Sequence, residues 1–233
     1  MKNYLVLFTA LVALGSLYSR KAHAISYYEL ETYGYETASQ GETELENFSS
    51  VGSIFRSSVE LNYGLSDRVE LAAYSDFNSA GVNSNVGYAG SRTHVRTKFF
   101  EKGQLPVDLG AYAELEFPRN DRAQIEGEIR GIIERDFGRL TLDINPIFEK
   151  VLKGEGGFVF SYATKAAYRL DQHWKPHFDT FGGFEDGGTQ LILSSAVDYR
   201  VNRSFVVSAS AGFGVTSDTP EKTIAGLRLE YEF

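Results

Sequence analysis

Apolar and polar residues alternate at the C-terminal end of the chain, in residues 225–233. Leu227 and Leu229 fall on one face of this segment, whereas Arg228 and Glu230 fall on the other. Because the side chains of a β-strand point alternately to its two faces, the pattern predicts a strand with one apolar and one charged face.

Similar alternation recurs along the chain, and each alternating segment is followed by turn-forming residues. The predicted strands are 25–35, 51–63, 68–78, 87–101, 106–117, 123–136, 139–151, 157–170, 174–184, 189–200, 204–215 and 222–233. A tilted transmembrane strand needs about 9–11 residues, whereas strands of globular sheets average about 5–6. We therefore predict an all-β fold, a closed antiparallel up-and-down transmembrane β-barrel of about 12 strands.

The N-terminal end predicts an export signal. Lys2 precedes an apolar run from Tyr4 to Tyr18, and Ala22 and Ala24 form the small-residue pattern of a cleavage site. A membrane-anchoring helix is the alternative, but the apolar run is short for a span. The predicted division is a cleaved signal peptide at 1–24 and an outer-membrane barrel at 25–233, which indicates the outer membrane of a Gram-negative bacterium.

Composition narrows the classes of function. The chain has a formal net charge of −8 and no cysteine. The acidic balance argues against nucleic acid as a partner, and the missing thiols exclude cysteine nucleophiles and cysteine metal sites. The mean hydropathy of −0.24 excludes a helical membrane protein but suits a barrel with a polar lumen.

The predicted connections differ at the two ends of the barrel. They are tight after even-numbered strands, and they are longer and more polar after odd-numbered strands, as in 36–50 and 78–86. Short periplasmic turns and longer outer loops are typical of outer-membrane barrels. An even number of strands then puts both termini in the periplasm, and we expect the last strand to pair with the first near Glu29 and Glu31.

The acidic residues of the first outer loop are interpreted as solvated rather than as cation-mediated contacts with lipopolysaccharide: Glu36, Glu42, Glu44 and Glu46.

Two aromatic residues close the chain, Tyr231 and Phe233. A terminal aromatic after an amphipathic strand resembles the C-terminal signature of bacterial outer-membrane proteins, which the barrel-assembly machinery reads. The resemblance implies that this machinery is a partner, together with outer-membrane lipid and lipopolysaccharide.

Three internal segments also carry a family resemblance. Residues 63–77, 97–118 and 142–174 are similar to segments of the transporter family linked to the meta-pathway of phenol degradation. The resemblance implies an outer-membrane barrel with a transport role, and it supplies no catalytic residues.

A basic ladder in the fourth predicted strand is the main candidate for lumen chemistry, and its neighbours carry carboxylates. The predicted lumen-lining residues are Arg92, His94, Arg96, Lys98, Glu114, Glu116, Glu126, Glu128, Arg130, Arg228 and Glu230. Cross-strand ion pairing would satisfy these charges inside a narrow barrel. A water-filled pathway that orients charged solutes is the functional alternative.

The leading hypothesis is therefore a channel for small polar or charged solutes. A structural or interaction barrel with a plugged, ion-paired lumen is the rival, and an outer-membrane lipid hydrolase is a third alternative. His173 and His177 are too far apart along one strand to bind a metal alone, and Ser91 and His94 lie on opposite faces. We predict no catalytic residue, no metal site and no cofactor.

Overall fold

The computed structural model describes residues 30–81, 84–119, 124–154, 156–185 and 188–233. These form one closed barrel in which every strand pairs with its neighbours in the chain and β1 pairs with β12. The strands are β1 Thr43–Val51, β2 Phe55–Ser66, β3 Val69–Ser79, β4 Val86–Lys98, β5 Asp108–Pro118, β6 Ile125–Phe137, β7 Leu140–Lys153, β8 Phe158–Tyr168, β9 Trp174–Glu185, β10 Gly188–Arg200, β11 Phe205–Gly214 and β12 Thr223–Glu232. The predicted closed antiparallel barrel is confirmed, and the predicted signal peptide at 1–24 lies outside the described residues.

Apolar side chains cover the outside of the barrel and polar side chains fill its interior, which is the reverse of a soluble protein. On β2, Leu61 and Tyr63 point outward with 50% and 47% of their surface exposed, whereas Glu60 and Asn62 point inward with 6% and 2% exposed. Buried carboxylates, amides and hydroxyls recur on the inward faces of the other strands. An apolar exterior around a polar interior is the arrangement expected of a barrel surrounded by lipid. Within the described residues, no helix is long and apolar enough to cross a membrane.

The first predicted strand is wrong. Described residues 30–42 form no strand, and the first strand is Thr43–Val51. Glu44 and Glu46 therefore belong to β1 rather than to an outer loop, and Glu36 precedes that strand. Closure near Glu29 and Glu31 is also wrong: β12 pairs with β1 in a register from Glu44↔Glu232 to Val51↔Ala225, and Glu29 lies outside the described residues.

We call the end of the barrel where β1 starts and β12 stops the terminal end, and the opposite end the far end. The predicted contrast in loop length does not hold for the connections that the structure describes. The connection after the odd strand β1 is only 52–54, whereas the connection after the even strand β4 runs from 99 to 107. Strand parity therefore does not set loop length here.

Residues 30–40, which we call the inserted segment, run inside the barrel towards the terminal end. The chain then turns beside β2, where the Gly41 N–H donates to the Gly64 carbonyl at 2.8 Å and the Gly64 N–H donates to the Glu42 carbonyl at 3.0 Å. A Cβ at Gly64 would lie 1.8 Å from the Ser39 carbonyl oxygen. Only glycine permits this close approach, which holds the inserted segment against the wall.

Candidate functional site

The basic ladder of β4 faces the lumen and is paired with carboxylates on both neighbouring strands. Arg92 Nε lies 2.9 Å from Asp76 Oδ2, and Arg92 Nη1 lies 3.3 Å from Glu114 Oε2. Arg96 Nη2 lies 2.9 Å from Glu70 Oε2. All five side chains are largely withdrawn from solvent. On this side of the barrel, ion pairing therefore accounts for the charges.

His94 lies among acidic and aromatic groups, although its neighbours along β4 are basic. Its Nε2 is 3.4 Å from Glu70 Oε1, and its Nδ1 is 2.7 Å from the Tyr74 hydroxyl. The His94 ring packs on Tyr112 with 4.5 Å between the centroids. Residues on adjacent strands, rather than those two positions away on the same strand, thus determine its surroundings.

The inserted segment binds these strands through its main chain. The backbone N–H of Tyr33 donates to Asn145 Oδ1 at 2.8 Å. The N–H of Tyr35 donates to Glu134 Oε2 at 2.7 Å, and the N–H of Ala38 donates to Glu70 Oε2 at 2.7 Å. Lumen side chains therefore replace the partner strand that the extended backbone would otherwise need.

Basic side chains of the barrel wall also contact the inserted segment. Lys165 Nζ donates to the Thr32 carbonyl at 2.6 Å, and Arg130 donates to the Glu31 carbonyl at 3.3 Å. The Arg130 guanidinium also lies 4.7 Å from the centre of the Tyr33 ring, a cation–π contact. Glu31 forms an ion pair with Arg228. The segment is thus fixed from several directions and fills part of the lumen.

We call β2–β6, against which the inserted segment packs Tyr33 and Tyr35, the filled wall, and β8–β12 the open wall. On the open wall, Asp198 gathers several partners. Its carboxylate lies 3.0 Å from Lys175 Nζ and 3.3 Å from His177 Nε2, and it accepts a hydrogen bond from Ser208 at 2.6 Å. His177 Nδ1 contacts Asp179 at 2.5 Å. Because both ring nitrogens of His177 face carboxylates, this histidine is not placed to take a proton from a serine, as a hydrolase would require.

Two cavities follow the open wall. A cavity of about 760 Å³ opens at the terminal end, and a smaller one of about 50 Å³ lies between the inserted segment and the strands. Asp198 and Arg228 line both. Lys165, His177, Ser194 and Ser210 line the smaller cavity. These two water-accessible spaces therefore lie on the side of the lumen away from the filled wall, where a cavity of only about 10 Å³ lies beside Ser58, Glu60 and Tyr74.

The structure puts all eleven predicted lumen residues on inward-facing strand positions. Seven belong to the ion-paired region or contact the inserted segment: Arg92, His94, Arg96, Lys98, Glu114, Arg130 and Arg228. Lys98 reaches Glu36 at 3.1 Å near the terminal end. Glu116, Glu126 and Glu128 lie towards the far end of β5 and β6, with Glu128 paired to Arg130 at 2.8 Å. Arg228 and Glu230 line the larger cavity. Whether they contact a solute stays a prediction.

Sequence reasoning missed the residues of the inserted segment and most of the open wall. The missed wall residues are Arg139, Lys165, Arg169, Lys175, Asp198 and Arg200. Lys165, Lys175, Asp198 and Arg200 follow the inward parity of their strands, so the alternation that identified β4 could also have identified them. Arg139 and Arg169 lie on connections, where alternation gives no signal. Within the described ranges, no group of three or more histidines and carboxylates is arranged to hold a metal ion.

Comparison with known proteins shows the type of fold. No family model and no curated protein matches the chain. The COG4313 outer membrane channel from Pseudomonas putida F1 is similar in structure, with a TM-score of 0.67 at 12% identity over 88% of this chain and 100% of that one. The KdgM porin gives a TM-score of 0.63 at 8% identity over 82% and 99%. The NanC porin gives 0.60 at 9% over 82% and 98%. The structural neighbours are thus outer-membrane β-barrel porins and channels, and the chain has their fold.

Proposed function

We propose that the chain is an outer-membrane channel through which small polar or charged solutes pass along the open wall. The unequal filling of the lumen is the observation that carries this proposal. The inserted segment packs its tyrosines on the filled wall, while the cavity of about 760 Å³ lies against the open wall. Charged and hydroxyl groups line the two cavities on that side, as a water-filled path through a barrel requires. Phe181, Ile192 and Ile224 form part of an apolar cluster in its far half.

We infer that residues 1–24 are a cleaved export signal and that the terminal end, where β1 starts and β12 stops, faces the periplasm. The apolar exterior then meets outer-membrane lipid, and the far end meets lipopolysaccharide. The rings of Tyr231 and Phe233 lie 4.9 Å apart on the exposed exterior at the terminal end. This position suits recognition by the barrel-assembly machinery.

The family resemblance supports transport as the general role. Segments 63–77, 97–118 and 142–174 resemble the transporter family linked to the meta-pathway of phenol degradation, and membership of that family is part of the proposal. A lipid hydrolase is not proposed, because the carboxylates around His177 leave it no serine partner.

A structural barrel with a plugged lumen is the second candidate. The contacts of the inserted segment with β3, β6 and β7 favour it, because they tie the segment to the wall across the lumen.

Single-channel recording in planar bilayers separates the two candidates. The purified full-length barrel should give small, stable conductance steps, and liposomes that contain it should swell in a small neutral solute. Folding is checked independently by the shift in gel migration that boiling causes in intact barrels. A folded barrel with neither conductance nor solute flux would overturn the channel in favour of the plugged barrel.

A further inference from the structure

The cavity at the terminal end carries more cations than carboxylates, although the whole chain has a formal net charge of −8. We call this cavity the basic vestibule. Its basic lining residues are Arg139, Arg169, Lys175, Arg200 and Arg228, and its acidic ones are Asp171, Asp198 and Glu230. The local excess of positive charge therefore opposes the charge of the protein as a whole.

Two of the five cations are compensated inside the protein. Lys175 pairs with Asp198 at 3.0 Å. Arg228 pairs with Glu31 and lies 3.8 Å from Glu230. Because carboxylates of the lumen neutralise these two side chains, they attract a solute only weakly.

The other three cations form no ion pair with any residue that the structure describes. Arg139 Nη1 donates to the carbonyl of Leu170 at 3.2 Å, and Arg200 Nη1 donates to the carbonyl of Arg203 at 3.2 Å. A neutral carbonyl satisfies only one donor of a guanidinium. The carboxylates that interact with the three cations at longer range are Asp136, Asp171 and Glu232. Arg139, Arg169 and Arg200 are thus the cations available to an incoming anion.

Backbone hydrogen bonds hold the chain segments that carry these arginines next to one another at the terminal end. The Arg169 N–H donates to the Arg139 carbonyl at 2.9 Å, which joins the β6–β7 and β8–β9 connections. The Arg200 N–H donates to the His173 carbonyl at 2.8 Å, which joins the β8–β9 connection to the end of β10. The three arginines therefore lie side by side along one mouth of the lumen, where all three line the vestibule.

We propose that the basic vestibule binds small soluble anions with carboxylate or phosphate groups and makes the channel anion-selective. The planar guanidinium fork matches both groups in two-point hydrogen bonding. The vestibule, at about 760 Å³, has the size of small-molecule sites, which run from about 300 to 1,000 Å³. The selectivity rests on the proposed channel function, whereas anion binding does not.

Ion selectivity is tested by the reversal potential in a KCl gradient across a planar bilayer. The wild type should favour chloride, and removal of the three unpaired cations should move the reversal potential towards potassium. The triple variant is Arg139→Gln, Arg169→Gln and Arg200→Gln. A control variant removes three cations that do not line the vestibule and should leave the reversal potential unchanged: Arg68→Gln, Arg119→Gln and Lys222→Gln. Cation selectivity in the wild type, or equal values for the wild type and the triple variant, would overturn the inference.

Binding is measured separately by titration calorimetry of the full-length barrel with inorganic phosphate, in a neutral detergent without phosphate groups. The triple variant should bind phosphate about tenfold more weakly than the wild type and the control variant do. Phosphatidylglycerol in mixed micelles is the second probe. Binding of that lipid without binding of phosphate would identify a headgroup site and refute the proposal. If no variant conducts, the channel function fails, and phosphate binding alone decides whether the anion site stands.

Discussion

On the filled wall, Arg92 lies between Asp76 and Glu114, whereas on the open wall Arg169 and Arg200 line a cavity without an ion-pair partner among the described residues. The strands of both walls have the same alternation of inward polar and outward apolar positions. The difference arises from the neighbouring strands and from the inserted segment, whose two tyrosines pack on the filled wall and whose residues 30–32 contact the open wall. Inward-facing charged side chains therefore stabilise the structure where they form ion pairs. Where they form none, they are available to a solute.

Removal of the inserted segment should have the largest effect, because it should make the two sides of the lumen equally accessible to water. Deletion of residues 30–38 takes Tyr33 and Tyr35 out of the lumen, and both are almost fully buried there. The space beside the filled wall then opens to water, so single-channel conductance should rise several-fold over that of the wild type.

A double variant of exposed residues at the terminal end of the inserted segment, Glu36→Ala with Ser39→Ala, is the control and should conduct as the wild type does. Equal conductance of the deletion variant and the wild type, with folding verified, would mean that the segment does not limit passage.

Loss of a buried, ion-paired cation should destabilise the barrel more than loss of an exposed cation that forms no ion pair with a described residue. Arg92→Met leaves the buried carboxylates of Asp76 and Glu114 without their cation, which costs about 3–5 kcal/mol in similar buried pairs. Arg200→Met removes an exposed cation that has no ion-pair partner among the described residues, and it should change stability by about 0.5 kcal/mol or less. Denaturant unfolding in detergent micelles measures both free energies. Similar losses for the two variants would remove the distinction between the walls.

A smaller and pH-dependent effect is expected at the far end, outside both walls. Glu221 accepts hydrogen bonds from the Ser53 N–H and hydroxyl, both at 2.7 Å, and pairs with Arg56 at 2.7 Å. Burial raises the pKa of its carboxyl, but these contacts outweigh burial, so the pKa lies below its usual 4.5. A lowered pKa stabilises the fold above pH 4.5, and the contribution is lost as the pH falls through the folded-state value.

Glu221→Gln should therefore destabilise the protein by about 1 kcal/mol at pH 7, and the difference from the wild type should shrink below pH 4.5. Glu101→Gln, at an exposed ion pair with Arg68, is the matched control and should have little effect at either pH. A loss for Glu221→Gln that is the same at pH 7 and at pH 3.5 would contradict this account of the carboxylate.

Alternation in the sequence was sufficient to find strands β2–β12, because each has an apolar outward face and a mostly polar inward face. It failed at β1, where the polarity is partly reversed. Phe48 points into the lumen, while Asn47 and Ser49 point outward and hydrogen-bond to Ser57. Phe48 fits because its ring packs over Gly226, where a Cβ would lie 3.4 Å from it.

The inserted segment was mistaken for a strand for a related reason. It is extended, but the partners of its N–H groups are side chains of Asn145, Glu134 and Glu70, which are far away in the sequence. Local alternation carries no information about such partners. For the same reason the pattern located the eleven lumen residues on inward positions but could not tell which of them form ion pairs and which line a cavity.

Reactivity of single cysteines tests the division of the lumen most directly, because the chain has no cysteine of its own. Ser210 lines the smaller cavity on the open wall, whereas the Ser58 hydroxyl donates to Asp76 at 2.7 Å within the filled wall. A charged methanethiosulfonate reagent added to the bilayer should modify Ser210→Cys and reduce its conductance, and it should leave Ser58→Cys unmodified. Faster modification of Ser58→Cys than of Ser210→Cys would contradict a solute path along the open wall.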